Sequence, residues 1–331
     1  MAITTKELAK ICRVSRRTVD RALHDLSGIS SATKELVLKT AKQYNYRFDH
    51  IASSLSRGRS MSIGVVLFDL QNRYFSQISN IISIEARRQG YFTYISVTEK
   101  DLDMEVQILN NLASRRVDGI ILLPINQGDE YVKELKSLEI PIVTIVNQLK
   151  GFPYIHVNDF KAAYDSTSYI HHAGYRRICF ICTPLRKKSS FNGRLNLSSQ
   201  ELRAKGYWHY MKKNPGLQSK MLIQKDFAET AAKIVRSGGE KTAFLCSSDI
   251  HAIALLNHFR DTKISVPRDA GIMGFDNLDI LDSIRPRLTT TSTSIETVGL
   301  DAINTLYKLI NDETVPDIQY VPHLVYPGET I

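Results

Sequence analysis

From Ser62 onward, short β-branched runs alternate with amphipathic stretches long enough to form helices. That rhythm narrows the options sharply, because neighbouring parallel strands need a crossover connection of about a dozen residues or more, usually a helix. The expected strands are 63–68, 92–97, 119–123, 142–146, 178–182, 243–246 and 271–274. The expected helices are 74–89, 105–115, 160–173, 202–213, 230–237, 250–260 and 295–311. This many βα units exceeds one compact sheet. An α/β core of two lobes follows, with a ligand cleft at the carboxyl ends of the strands.

The first sixty residues follow a different pattern. They hold twelve Lys/Arg against five acidic residues, whereas the formal charge of the whole 331-residue chain is only +9. Such a basic head on a nearly neutral body suits contact with a polyanion, although a merely solvating basic surface has the same composition. Thr4 and Glu7 form a capping box for a helix from Thr5 to Cys12. Ser15 caps a second helix with Val19, Ala22 and Leu23 inward, and Ser30 caps a third that closes at Asn45. Two short helices braced by a third make a helix-turn-helix, whose second helix enters the major groove. Arg16 and Arg17, at the start of that helix, are the residue type that reads guanine O6 and N7 with two hydrogen bonds.

The run Val14-Ser15-Arg16-Arg17-Thr18-Val19-Asp20-Arg21-Ala22-Leu23 resembles the recognition helix of the lactose/galactose-repressor family of bacterial transcription regulators. Ile51-Ala52-Ser53-Ser54-Leu55, then Gly58-Arg59-Ser60 and Ile63-Gly64-Val65-Val66, is similar to that family's hinge helix and first core strand. The resemblance implies that Arg16, Arg17 and Arg21 contact bases and that Thr4, Ser15 and Thr18 contact the DNA backbone. It also implies that Leu55 and Ala52 reach the minor groove, where an apolar wedge bends the duplex. A hinge of about eight residues is too short to be helical alone and should fold only when held. Three positions depart from the family pattern: Arg13 replaces the usual turn glycine, Asp20 a serine, and Phe48-Asp49 a proline and asparagine.

Farther along, Arg115-Arg116-Val117-Asp118-Gly119-Ile120-Ile121, His172-Ala173-Gly174-Tyr175-Arg176-Arg177-Ile178, Met273-Gly274-Phe275-Asp276-Asn277 and Pro286-Arg287-Leu288-Thr289-Thr290-Thr291 resemble the family's effector core. The implied architecture is a DNA-binding headpiece (1–46), a hinge and linker (47–61) and a two-lobed, periplasmic-binding-protein-like core (62–331). The chain would cross between lobes near Asn158, near Thr291 and close to its carboxyl end. Matching positions nominate Tyr74, Phe75, Asn147, Asn158, Arg203, Ser248 and Asp276 for effector contact. Ser248-Asp249 in place of Asn-Asp, and Val146-Asn147 in place of Asp-Arg, imply altered ligand contacts.

Other chemistry lacks its marks. Cys179 and Cys182 form a C-x-x-C, but three residues apart in a strand they face opposite ways, and four cysteines are too few for a disulfide framework. No metal-ligand spacing, phosphate loop, dinucleotide fingerprint or nucleophile elbow is present, so neither a metal, a cofactor nor enzymatic chemistry is expected. Without an apolar amino-terminal stretch or a membrane-length run, the expected compartment is the cytoplasm. The expected partners are a double-stranded DNA operator of approximate two-fold symmetry, a second copy of the chain, and a small sugar-like effector. Two rivals stay open: a cytosolic sugar receptor without a regulatory DNA role, and an enzyme acting on carbohydrate in the cleft.

Overall fold

The computed structural model describes residues 3–23, 25–46, 58–182 and 198–331. The chain divides into two compact units, Met1–Ser60 and Met61–Ile331. Residues 47–57 of the expected hinge and linker, including Ala52 and Leu55, lie outside the described residues.

Among the described residues the first unit holds three helices, α1 (Thr5–Cys12), α2 (Arg16–Leu23) and α3 (Ser31–Gln43). The capping box closes as expected, with Glu7 N donating to Thr4 Oγ1 at 3.3 Å and Thr4 N to Glu7 Oε2 at 2.7 Å. Arg13 ends α1 in the left-handed conformation at φ 53°, the value that explains why glycine is usual there. Thr18 N donates to Ser15 Oγ at 3.1 Å to start α2, and Thr33 N donates to Ser30 Oγ to start α3. Leu8, Ala9, Cys12, Val19, Ala22, Val37 and Ala41 fill a core of minimal size.

Among its described residues the second unit contains two six-stranded sheets. The first is built from β1 (Ser62–Leu67), β2 (Phe92–Val97), β3 (Gly119–Leu122), β4 (Ile142–Ile145), β5 (Tyr154–Val157) and β11 (Ile318–Val321), in the order β2-β1-β3-β4-β5-β11. All its pairings are parallel. The second combines β6 (Arg177–Ile181), β7 (Gln218–Leu222), β8 (Thr242–Cys246), β9 (Gly271–Asp276), β10 (Thr289–Ser292) and β12 (Leu324–Tyr326), in the order β7-β6-β8-β9-β10-β12. Only β12 runs antiparallel to its neighbour, β10. Strand order reverses at β1 and at β6, so each sheet has a switch point where a crevice opens beyond the carboxyl ends of its strands.

Helices α4 (Arg73–Arg88) and α11 (Ile295–Ile310) cover one face of the first sheet through Ile78, Ile82, Val298, Ile303 and Leu306. Gly119 permits this contact, since a Cβ there would stand 2.7 Å from a Leu306 methyl. Helices α5 (Leu102–Ser114) and α6 (Asp129–Ser137) cover the other face. On the second sheet, α7 (Asp159–His172) and α8 (Ser199–Lys213) take one side, with α9 (Phe227–Arg236) and α10 (Asp249–Asp261) opposite. The α7–α8 crossing is so close that a Cβ on Gly206 would sit 2.1 Å from Phe160 O.

Three crossings join the lobes: β5 to α7, β10 to α11, and β11 to β12. The strands and helices foreseen from the sequence are all present, most with ends moved by one to three residues. Helix α6 and strands β5, β7, β10, β11 and β12 were not foreseen. They are short or at sheet edges, and Gln218–Leu222 and Thr289–Ser292 carry the polar side chains that hide a strand's alternation. Cys179 and Cys182 do face opposite ways, into separate cores, and burial pushes their thiols up to about 12 and about 11.

Candidate functional site

The carboxyl ends of both sheets meet around a cavity of about 500 Å³. The first lobe contributes Phe68, Tyr74, Phe75, Val146, Asn147 and His156, and the second contributes Ser199, Arg203, Ser247, Ser248, His251 and Asp276. Arg203 is the centre of the polar wall. Its Nε donates to Asp159 Oδ1 at 2.7 Å, Nη1 to the Ser247 carbonyl at 2.6 Å, and Nη2 lies 3.1 Å from Asp276 Oδ1. The guanidinium also stacks 3.9 Å from the centre of the Phe275 ring.

The carboxylates respond in opposite directions. Burial works against the Asp159 carboxylate, but Arg203 and His156 together outweigh it and hold it below the usual range. Burial dominates at Asp276 and, with the nearby Asp159, pushes it up to about 6 despite Arg203. Asp249, beneath the wall, is pushed up to about 8 by burial and by Asp276. Its oxygens accept from Thr290 Oγ1 and Leu278 N, and Gly274 leaves the room it needs.

Backbone strain concentrates at the same place. Val146, a β-branched residue, has φ 64° and forms the middle of a three-residue turn in which Asn147 N donates to Ile145 O at 2.6 Å. The Val146 carbonyl, turned by that strain, accepts from Tyr154 OH at 3.1 Å and from Ser199 Oγ of the opposite lobe at 3.2 Å. The turn aims Asn147 at the cavity: Nδ2 donates to Pro124 O, while Oδ1 is buried without a hydrogen-bond partner among the described residues. Asp276 and Asn277 add two more positive φ values, 110° and 58°. At the cleft margin Arg73, at the start of α4, makes a two-point ion pair with Asp279 of the other lobe, which Gln77 also contacts.

In the amino-terminal unit, Arg16 and Arg17 are exposed on the first turn of α2. Arg21 turns back instead, its Nη1 donating to Gly28 O at 3.4 Å.

A tri-helical basic unit and a twice-switched, two-lobed α/β unit in one chain is the combination found in relatives of known structure. The Lac repressor dimer bound to operator and an anti-inducer superposes with a TM-score of 0.83 at 20% identity, covering 100% of this chain and 99% of that one. Along its whole length the chain is similar to regulators of the lactose/galactose-repressor family. Catabolite control protein A of Staphylococcus epidermidis is 29% identical over 347 residues, with 100% of both chains covered. A periplasmic binding protein/LacI transcriptional regulator from Alkaliphilus metalliredigens, solved with D-xylulofuranose, is 25% identical, covers 82% of this chain and 98% of its own, and has a TM-score of 0.68. The model of the periplasmic binding protein-like domain matches residues 167–331.

Six of the seven positions that family likeness nominated line the one cavity: Tyr74, Phe75, Asn147, Arg203, Ser248 and Asp276. Asn158 does not. Its side chain instead caps α7, accepting from Lys161 N at 3.0 Å. Ser248 has a double role, since it caps α10 and also sits 2.7 Å from His251 Nδ1. Asp159 and His156 went unnominated although they set the electrostatics of the wall. His156 lies on β5, the strand whose Tyr-Ile-His-Val run does not announce itself, 3.4 Å from Asp159. Asp159 directly follows Asn158 at the first crossover and is the first residue of α7. Among the described residues no group of three metal-ligating side chains stands together, and no helix is long and apolar enough to cross a membrane.

Proposed function

We propose that this chain is a homodimeric, sequence-specific DNA-binding transcription regulator, controlled by a small sugar-like effector held between the two lobes of its core. Residues 1–46 take the operator, residues 47–61 form the hinge, and 62–331 bind the effector and dimerise. Arg16 and Arg17 read base edges, Arg21 joins them after leaving Gly28, and Thr4, Ser15 and Thr18 hold phosphates. Ala52 and Leu55 of the hinge enter the minor groove. Tyr74, Phe75, Asn147, Arg203, Ser248 and Asp276 contact the effector. The protein works in the cytoplasm and performs no chemical step of its own.

The supporting observation is the strained, polar-walled cleft in the same chain as a basic helix-turn-helix with two exposed arginines. Regulation follows from linkage: an effector that binds one lobe arrangement better than the other shifts the equilibrium, and DNA and effector change each other's affinity by the same factor. Two-fold symmetry of the dimer calls for an operator of approximate two-fold symmetry.

Selection of binding sites from random duplexes by the full-length protein should enrich a near-palindrome. Fluorescence anisotropy on that duplex should then respond to one sugar of a broad panel. A protein that enriches no sequence, and whose sugar binding is unchanged in an Arg16→Ala/Arg17→Ala variant, is a receptor without a DNA role.

A further inference from the structure

Arg203 is the only guanidinium or ammonium group buried in the cleft wall among the described residues, and each of its three nitrogens already has a partner. Nε goes to Asp159, Nη1 to the Ser247 carbonyl, Nη2 to Asp276, and Phe275 covers one face. The other lining cation, Lys100, lies exposed at the margin. Against these two positive groups stand Asp69, Glu201 and Asp276 in the lining and Asp159 directly behind Arg203. An acidic or phosphorylated ligand that reached for Arg203 would have to displace Asp276 or lie against two buried carboxylates.

The uncharged part of the lining has the opposite character. Asn147 Oδ1 is a buried acceptor with no partner among the described residues, aimed into the cavity by the strained turn at Val146. Ser199, Ser248 and Gln71 bring groups that both donate and accept. Phe68, Phe75 and Tyr74 form an edge-to-face aromatic surface, suited to the C–H face of a sugar ring.

We infer that the cleft selects an electrically neutral, polyhydroxylated ligand and rejects the phosphorylated and carboxylate forms of the same sugar, with Asp276 as the residue that enforces the choice by occupying Arg203. This inference rests on the effector role assigned to the cleft. It specifies which form of a sugar the protein senses: the form before phosphorylation or oxidation to an acid. The reaction that would remove the signal is therefore one that adds a charge to it.

The experiment titrates full-length protein with matched sets: glucose, glucose 6-phosphate and glucuronate; ribose and ribose 5-phosphate; and inorganic phosphate alone. Thermal shift and calorimetry are run against potassium chloride of equal ionic strength. In wild type a neutral member should bind, and its charged counterparts should bind roughly 100-fold more weakly or less, the scale set by one uncompensated like charge near a partly buried site. Inorganic phosphate should shift the melting temperature no more than the chloride control. In Asp276→Asn, phosphate and the sugar phosphates should become stabilising, because Arg203 is released. A wild-type protein that binds a charged member as well as its neutral counterpart overturns the inference. So does phosphate stabilisation of wild type that disappears in Arg203→Gln. If no sugar in either form binds, the carbohydrate reading of the effector fails, while the phosphate arm on wild type still decides the charge selection. Should Asp276→Asn not fold, the wild-type comparisons decide it alone.

Discussion

Replacing Arg203 by methionine keeps the apolar stem of the side chain but removes the guanidinium that lies over Phe275, and so strands Asp159 and Asp276. Both are buried, the first at 1% and the second at 6% exposure. Removing one partner of a buried ion pair ordinarily costs about 3–5 kcal/mol. An independent route gives a similar figure. If a stranded carboxyl escapes by taking a proton, neutralising an ordinary aspartate at pH 7 costs about 1.4 kcal/mol for each of roughly three pH units, or about 4 kcal/mol. The second route predicts a pH dependence. Without Arg203 the folded-state pKa values of both carboxyls rise, so between about pH 4 and those values the folded variant binds more protons than its unfolded chain. Its stability therefore grows as pH falls. Urea denaturation of full-length protein should show the deficit of Arg203→Met shrinking from about 4 kcal/mol at pH 7 to about 1.5 at pH 5. Adding Asp159→Asn and Asp276→Asn should recover most of the loss at pH 7. A deficit below about 1 kcal/mol at pH 7, or one that is constant from pH 5 to 8, would refute the claim that Arg203 exists to hold two buried charges.

Asp249→Asn keeps hydrogen-bonding partners in Leu278 and Thr290 without the proton that burial, pushing the carboxyl up to about 8, obliges the wild type to hold. Because that pKa is raised on folding, wild-type stability relative to the variant should fall as pH climbs from 5 to 8, then level off, in urea melts across that range. Gly206→Ala sets helix propensity, worth about 1 kcal/mol in favour of alanine, against a Cβ placed 2.1 Å from Phe160 O. Overpacking should win, leaving a lower melting temperature by about 1–3 kcal/mol equivalent. Leu8→Ala empties the centre of the head's small core and should cost about 2–5 kcal/mol there, enough to abolish DNA binding while calorimetric sugar binding survives. Arg16→Ala and Arg17→Ala should each weaken specific duplex binding by about 1–3 kcal/mol in anisotropy titrations and relax base preference at one position of the half-site.

The sequence speaks most clearly where one period governs a long segment. Helix α4 and the fully buried β1 follow from their apolar spacing within a residue of their observed ends, and the head's three starts follow from Thr4, Ser15 and Ser30. It speaks least clearly at the sheet edges, where β7 exposes Gln218, Ser219 and Lys220 and buries only its last residue, Leu222, too little to show an alternation. The cleft was legible through family likeness at Arg203 and Asp276 but not in its electrostatics. Nothing local in the sequence sets Asp159, His156 and Asp276 around one guanidinium, because that requires the ends of β5 and β9 to face each other across two lobes. The turn at Val146 was equally hidden, since a valine at positive φ contradicts its own preference and survives only because Tyr154 and Ser199 hold its carbonyl.

The return of α11 to the first lobe has a consequence for how the protein is made. Val298, Ile303 and Leu306 complete a core that also contains Ile63, Val65 and Ile121, so the lobe begun by the earliest strands of the core unit stays open on one face until the chain has been extended past residue 306. At synthesis rates of roughly 5–20 residues per second, the roughly 150 residues between the end of β5 and Leu306 correspond to about 8–30 s. Throughout that interval the nascent sheet would present Ile121, Val143 and Ile145 without their cover. A ribosome pausing just before α11 would hold the protein at its most aggregation-prone length, and holdase chaperones should bind there most strongly.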